Sequence, residues 1–185
     1  MLRFTLPIAL LLAITGCATS TTDALGLPEL TTVETLDVER YDGVWYEIAN
    51  FPMVFQEGCA STTATYGLRD DGSVDVRNAC LKEDGPIEAI GVARPVDVER
   101  GKLEVSFFGP FYGAYWVVDL GEANGPNADY THAVVSEPGR DSLWILSRTP
   151  SLDDEVLDGI LDKIENDLDI PLDRLTFTDQ SQPAP

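Results

Sequence analysis

Histidine is almost missing from this chain: His132 is the single one in 185 residues. Cysteine is scarce, at three, and basic residues are outnumbered, with 12 Lys and Arg against 32 Asp and Glu and a formal net charge of −20. Each scarcity excludes something. Nucleic acid is held through a basic footprint, and this chain carries the opposite sign. A zinc site draws its ligands mainly from His and Cys, and Cys59 and Cys80 lack further partners, because the one His lies far away in sequence. A serine hydrolase needs a histidine base and, on one common scaffold, a Gly-x-Ser-x-Gly elbow. No such elbow occurs, and His132 lies inside a strand pattern, where packing or hydrogen bonding is the ordinary role. The apolar run from Phe4 to Ile14 is too short to span a bilayer as a helix, which takes about 20 residues.

That run reads instead as part of a targeting signal. Met1-Leu2-Arg3 is a short basic start, and the run ends in Ile14-Thr15-Gly16-Cys17, which resembles a bacterial lipobox. Residues 1–16 are then a lipoprotein signal peptide, and Cys17 is the lipidated mature N-terminus that anchors the chain in a membrane. The alternative is an ordinary signal peptide with a chance cysteine. Ala18 stands where lipoproteins kept on the inner membrane often carry Asp, so the resemblance implies the outer membrane, with the domain facing the periplasm. Residues 17–32, small and polar, read as a flexible tether. Residues 179–185 read as a disordered tail. One domain, 33–178, remains between them.

Lipidation of Cys17 leaves Cys59 and Cys80, and an exported compartment permits a disulfide between them. Two buried free thiols are the alternative. Register raises an obstacle. If Asp70-Asp71-Gly72 is a three-residue hairpin loop, Cys80 opposes Thr62, and Cys59 lies three residues on, about 10 Å away along an ideal strand. A bridge requires the chain to bend back, and Glu57-Gly58 is the expected place.

The body is a series of short strand patterns: Trp45 to Phe51, Thr62 to Leu68, Ser73 to Cys80, Ile87 to Pro95, Lys102 to Phe107, Tyr115 to Leu120, Tyr130 to Val135 and Leu143 to Ser147. Turns fall at Gly109-Pro110, Gly125-Pro126 and Pro138-Gly139. A helix follows, with Ser151 as the expected cap and Val156, Leu157, Ile160, Leu161 and Ile164 at helical spacing. A last short strand is expected over Leu175 to Thr178. The expected fold is all-β with one C-terminal helix, an antiparallel sandwich or barrel.

Three motifs in order narrow the choice. Gly43-Val44-Trp45-Tyr46-Glu47, Asp129-Tyr130, and Arg148 closing Leu143 to Pro150 resemble the three signature motifs of the lipocalins. Ala128 departs from the usual Thr of the second. Thr63 to Tyr66 and Val105 to Gly113 resemble the bacterial lipoprotein branch related to apolipoprotein D. The resemblance runs from about Leu36 to Phe177 and implies an eight-stranded antiparallel up-and-down β-barrel. It gives Gly43, Trp45, Asp129, Tyr130 and Arg148 structural roles, with Arg148 lying across the Trp45 ring at the barrel floor.

The resemblance also implies a small lipophilic ligand, of fatty acid or lysophospholipid type, with no cofactor. Alternation along the strands assigns its contacts. If Trp45 faces in, so do Glu47 and Ala49. If Arg148 meets the floor, Leu146 and Trp144 line the wall above it. Tyr115 and Val117 are taken as inward and Trp116 as outward. Phe107, Phe108, Phe111 and Tyr112 surround Gly109-Pro110, where they suit a pocket rim. They equally suit ordinary core or an association patch, which leaves a homodimer open. Glu47, inward, is expected to be desolvated with a raised pKa, as a headgroup contact, a buried hydrogen-bonding residue or a catalytic acid. A lipid-modifying enzyme and a ligand-free envelope assembly factor are the competing readings.

Overall fold

The computed structural model describes Gly26 and residues 28–122 and 129–185. The signal peptide, Cys17, Ala128 and the Gly125-Pro126 turn lie outside the described residues.

Eight antiparallel strands close on themselves: β1 (Gly43–Asn50), β2 (Ala60–Leu68), β3 (Val74–Lys82), β4 (Gly85–Asp97), β5 (Lys102–Phe108), β6 (Phe111–Glu122), β7 (Tyr130–Ser136) and β8 (Leu143–Ser147). Each pairs with the next from β2 to β8, and β1 joins β8 to β2. Closure pairs the strand edges except where β1 and β2 part, and it lets the inward side chains form an interior. A short helix, α1 (Val38–Tyr41), leads into β1, α2 (Asp154–Asn166) follows β8, and a two-residue strand, β9 (Thr176–Phe177), adds to β1.

Two cores result. Trp45, Tyr66, Val76, Leu103 and Val117 are buried inside the barrel. Outside it, Ile160 and Ile164 of α2 pack with Ile145, Val134, Val118 and Leu143. The helix therefore uses its apolar stripe to cover the outer face of the β6–β8 wall. The same outer face holds His132, whose Nε2 lies 3.4 Å from Asp119 Oδ2, while Lys163 of α2 donates to Asp119 Oδ1. His132 is thus part of a helix clamp.

The structure corrects several expectations. The helix cap is Asp153, not Ser151: the chain stays extended through Asp153, and the Ser151 carbonyl is taken by Thr149 Oγ1. The tether is not free to residue 32. Leu30 is buried in the outer core, and the Pro28 carbonyl accepts from Arg140 Nη2 at 3.0 Å. Ala49 does not face inward. A bulge between Glu47 and Ala49 advances the register by one against β8, so Ala49 joins the outer core and Asn50 points back in beside Glu47.

The C-terminal tail is ordered against the barrel as far as Gln182, contrary to the expected fraying. β1 pairs with β2 only over Gly43 to Tyr46, and β2 diverges beyond. The tail fills that seam. Thr178 N donates to the Ile48 carbonyl at 2.9 Å, and Ser61 N donates to the Asp179 carbonyl at 2.7 Å. Gln180 Nε2 donates at 2.8 Å to the carbonyls of both Glu47 and Thr62. These are backbone groups that the interrupted ladder would leave unpaired, and their need for partners orders the tail.

The hairpin register is the expected one, with Arg69 N donating to the Ser73 carbonyl at 2.8 Å. Cys59 and Cys80 are joined, their Cα atoms 5.4 Å apart. The bend that closes the distance lies at two places. Gly58 has φ +76° and Ser61 φ +49°, and a bulge between Ala60 and Thr63 shortens β2 by one step against β3. Only Gly58 belongs to the expected pair.

Candidate functional site

The floor of the barrel is built by the three motifs. The Arg148 guanidinium lies 3.9 Å from the Trp45 ring centroid. Its Nη2 donates to the carbonyls of Arg40 and Asp42 at 2.9 and 2.8 Å, and its Nη1 to that of Val44 at 3.0 Å. Trp45 Nε1 donates to the Tyr41 carbonyl at 2.9 Å. Gly43 turns with φ +98°, and a Cβ there would sit 3.3 Å from Arg148 Nη1. Tyr130 receives the Asp37 N–H on its hydroxyl at 3.0 Å, and burial lowers the pKa of Arg148, which the nearby exposed Asp129 offsets in part. Gly43, Trp45 and Arg148 meet at the floor, and Tyr130 joins them through the Asp37 N–H and the Arg148 Nε, which donates to its carbonyl at 3.4 Å.

A layer of tyrosines stands above the floor. Tyr115 Oη lies 2.9 Å from Tyr41 Oη and 2.8 Å from Tyr66 Oη. Burial raises the pKa of all three hydroxyls, Tyr66 to about 12, so the layer is neutral and hydrogen-bonded. Below it remains a void of about 20 Å³, too small for a ligand. Above it opens a cavity of about 430 Å³, within the range of small-molecule sites.

Glu47, Tyr115, Trp144 and Leu146, taken as inward by alternation, line this cavity, and so does Phe111, taken as a rim residue of the aromatic loop. Val117 does not. It points inward but lies fully buried in the cluster around Trp45. β6 runs from the mouth towards the floor, so two residues past Tyr115 the wall is already below the tyrosine layer.

Glu47 is 4% exposed, and its carboxylate accepts three hydrogen bonds: from Asn50 Nδ2 at 2.9 Å, Gln56 Nε2 at 2.7 Å and Thr178 Oγ1 at 2.7 Å. Burial raises its pKa, and the three donors only partly offset this. The carboxylate therefore ties together β1, the mouth loop and the C-terminal tail. Thr62 and Asn78 also line the cavity, and Thr62 Oγ1, Asn78 Oδ1 and Gln56 Oε1 are buried with no protein partner. Sequence reasoning missed this polar wall. Asn78 and Thr62 carry a legible signal, since both fall on the inward parity of their strands. Gln56 and Thr178 carry none, because a loop and a tail place them.

The mouth is apolar. Val54, Phe55, Phe108 and Phe111 are 91%, 64%, 83% and 79% exposed, and the last three also line the cavity. β5 and β6 extend further than expected, so the aromatic segment is a hairpin tip turning at Gly109-Pro110. The Cys59–Cys80 bridge lies in the cavity wall and holds the end of the mouth loop to β3.

A closed eight-stranded barrel with a plugged floor, an open apolar cup and a helix packed outside is the architecture of a small-ligand carrier. Residues 36–180 match the model of the lipocalin-like domain, and the chain belongs to that family. It is 45% identical over 133 residues to outer membrane lipoprotein Blc of Escherichia coli K12, a match covering 69% of this chain and 70% of that protein. It is 36% identical over 168 residues to temperature-induced lipocalin-1 of Arabidopsis thaliana, covering 85% and 86%. With apolipoprotein D of Bos taurus it shares 34% over 150 residues, covering 80% and 78%. Among solved structures, insecticyanin of the tobacco hornworm Manduca sexta superposes with a TM-score of 0.63 over 82% of this chain and 85% of that one, at 22% identity, which is a likeness of fold. The chain is a binding barrel for a lipophilic ligand and not an enzyme, so a catalytic role for Glu47 is set aside.

Proposed function

We propose that this barrel stores or transports a single-chain lipid amphiphile, of fatty acid or lysophospholipid type, at the outer membrane. The carrying observation is the cavity of about 430 Å³, apolar on most of its wall, polar along one strip and reached through an apolar mouth. The alternative of a barrel filled by its own side chains sits poorly with so large a space. Each buried CH₂ of an acyl chain contributes about 0.8 kcal/mol before the costs of association, so micromolar affinity needs no charged contact. The membrane anchor in this reading is a lipid on Cys17, with the domain on the periplasmic side. The lipoprotein name of the Escherichia coli relative supports it.

Mass spectrometry of lipids extracted from natively purified protein tests the ligand. Monoacyl lipids at near-stoichiometric yield are expected, and their absence from a folded, undelipidated preparation would sink the proposal. Fractionation of Cys17→Ser tests the anchor. The variant is expected to lose membrane association, and normal processing with normal membrane association would refute it.

A further inference from the structure

The chemistry of the ligand's polar end can be read from the cavity wall, provided the barrel is the lipid carrier described above. Among the described residues lining the cavity there is no Lys, Arg or His. The two charged ones are Glu47 and Glu88, and Glu88 is held by Arg77 Nε at 2.8 Å. Glu47 has only neutral donors around it: Asn50, Gln56 and Thr178. Its carboxyl group is buried without a cation.

The polar atoms beside it are in the same state. Gln56 gives its amide N–H to Glu47, which fixes the orientation of that amide and leaves Oε1 as a buried acceptor with nothing to accept. Thr62, 6% exposed, holds a buried hydroxyl with no protein partner, and Gln180 bridges its carbonyl to that of Glu47, so the two stand side by side across the seam. Asn78 Oδ1, one step deeper at the level of Ala64, is also unpartnered. Buried polar groups in native proteins are almost always paired, by protein, water or ligand. This strip therefore holds a carboxylate and an unpaired amide oxygen beside neutral groups, and it lacks positive charge.

We propose that the cavity ranks single-chain amphiphiles by their polar end, an ammonium best, a hydroxyl next and a free carboxylate last. An ammonium has three donors and no acceptor, and its charge would pair with Glu47. A carboxylate would place two anions together where solvent screens them poorly and would leave Gln56 Oε1 unpaired.

The test uses the mature protein and three twelve-carbon probes of one chain length: dodecylamine, 1-dodecanol and dodecanoate. Each competes with the neutral fluorophore N-phenyl-1-naphthylamine at about pH 7, where the amine is charged and the acid ionised. Salt of about 1 M cuts the screening length to about 3 Å, so general attraction of the amine to an acidic surface is suppressed. Dodecylamine is expected to displace the fluorophore at concentrations about tenfold below dodecanoate, with dodecanol between them. Glu47→Gln is expected to bring the amine within about threefold of the acid and to weaken dodecanol less than the amine. Gln56→Leu, which removes the unpaired acceptor Oε1, is expected to weaken amine and alcohol more than the acid, and serves if the Glu47 variant does not fold. Dodecanoate binding as tightly as dodecylamine to the unaltered protein would overturn the inference and leave the carrier reading standing. An amine preference that survives both substitutions would also overturn it. Failure of all three probes to displace the fluorophore would overturn the carrier reading itself.

Discussion

Arg148 lies flat over Trp45, its guanidinium carbon 3.9 Å from the ring centroid, while Nη1 and Nη2 donate to three carbonyls on the chain entering β1. One side chain thus covers the plug of the barrel and fixes the segment that leads into it. Arg148→Met keeps the bulk and removes the charge and the donors. The cation–π contact contributes about 0.5–2 kcal/mol, and the charged hydrogen bonds, partly exposed, contribute less than the about 1.5–3 kcal/mol of buried ones because water replaces part of them, so a loss of about 2–4 kcal/mol is expected. Urea denaturation measures it. A change below about 0.5 kcal/mol would class the contact with ordinary surface positions.

The seam between β1 and β2 gives a second prediction. Ending the chain after Thr178 removes the bonds that Asp179, Gln180 and Gln182 make to Ser61, Thr62 and Glu47. A buried backbone group left unpaired costs about 1–3 kcal/mol, less where water can enter. The truncation is expected to cost about 2–3 kcal/mol and to expose the Ser61 amide to hydrogen exchange faster than global unfolding does. Gln180→Ala alone is expected to cost about half as much. A truncated chain with unchanged stability and an equally protected Ser61 amide would show the seam to be held without the tail.

Period-two patterning and turn residues made the strands legible, and motif order made the barrel legible, because these are local signals. The parity argument located Glu47, Tyr115, Trp144 and Leu146 on the cavity wall for the same reason. It failed at Ala49, where a bulge reversed parity, and at Val117, where parity was right but depth was not. Neither bulges nor strand tilt leave a mark in alternation. The polar strip was illegible in its essential members. Gln56 and Thr178 reach Glu47 across 9 and 131 residues of sequence from a loop and a tail. The tail was read as frayed because its composition is polar, yet its order follows from unpaired carbonyls and amides on two strands that diverge.

Glu47 makes stability depend on pH in a definite direction. Its folded pKa is raised above 4.5 by burial, so the folded state holds this proton more tightly than the unfolded state. The stabilisation from that proton is fully present below the unfolded value and is lost as pH rises through the folded one. The stability of the unaltered protein minus that of Glu47→Gln should therefore fall with rising pH above about 4.5, by at most about 1.4 kcal/mol per pH unit, and then level off. Subtracting the variant removes the other carboxylates, which titrate in both. Urea midpoints at a series of pH values give the difference. A difference that rises with pH would mean that the donors from Asn50, Gln56 and Thr178 outweigh burial.

Trp144 reports on the ligand. It lines the cavity and pairs in register with Asn50, whose side chain donates to Glu47 at 2.9 Å. An amphiphile that enters from the mouth to set its polar end at Glu47 comes against the indole. The other two tryptophans are placed otherwise. Trp45 is fully buried beneath Arg148, and Trp116 packs in the outer core with Lys102 Nζ 3.9 Å from its ring centroid. Titration with a monoacyl lipid is expected to change the protein's fluorescence, and Trp144→Phe is expected to remove most of that change. Affinity should fall only about two- to fivefold, because a phenyl ring replaces most of the buried area. The same change surviving in Trp144→Phe would assign the signal to Trp45 or Trp116. It would place the acyl chain either against the floor, where only about 20 Å³ is open, or outside the barrel.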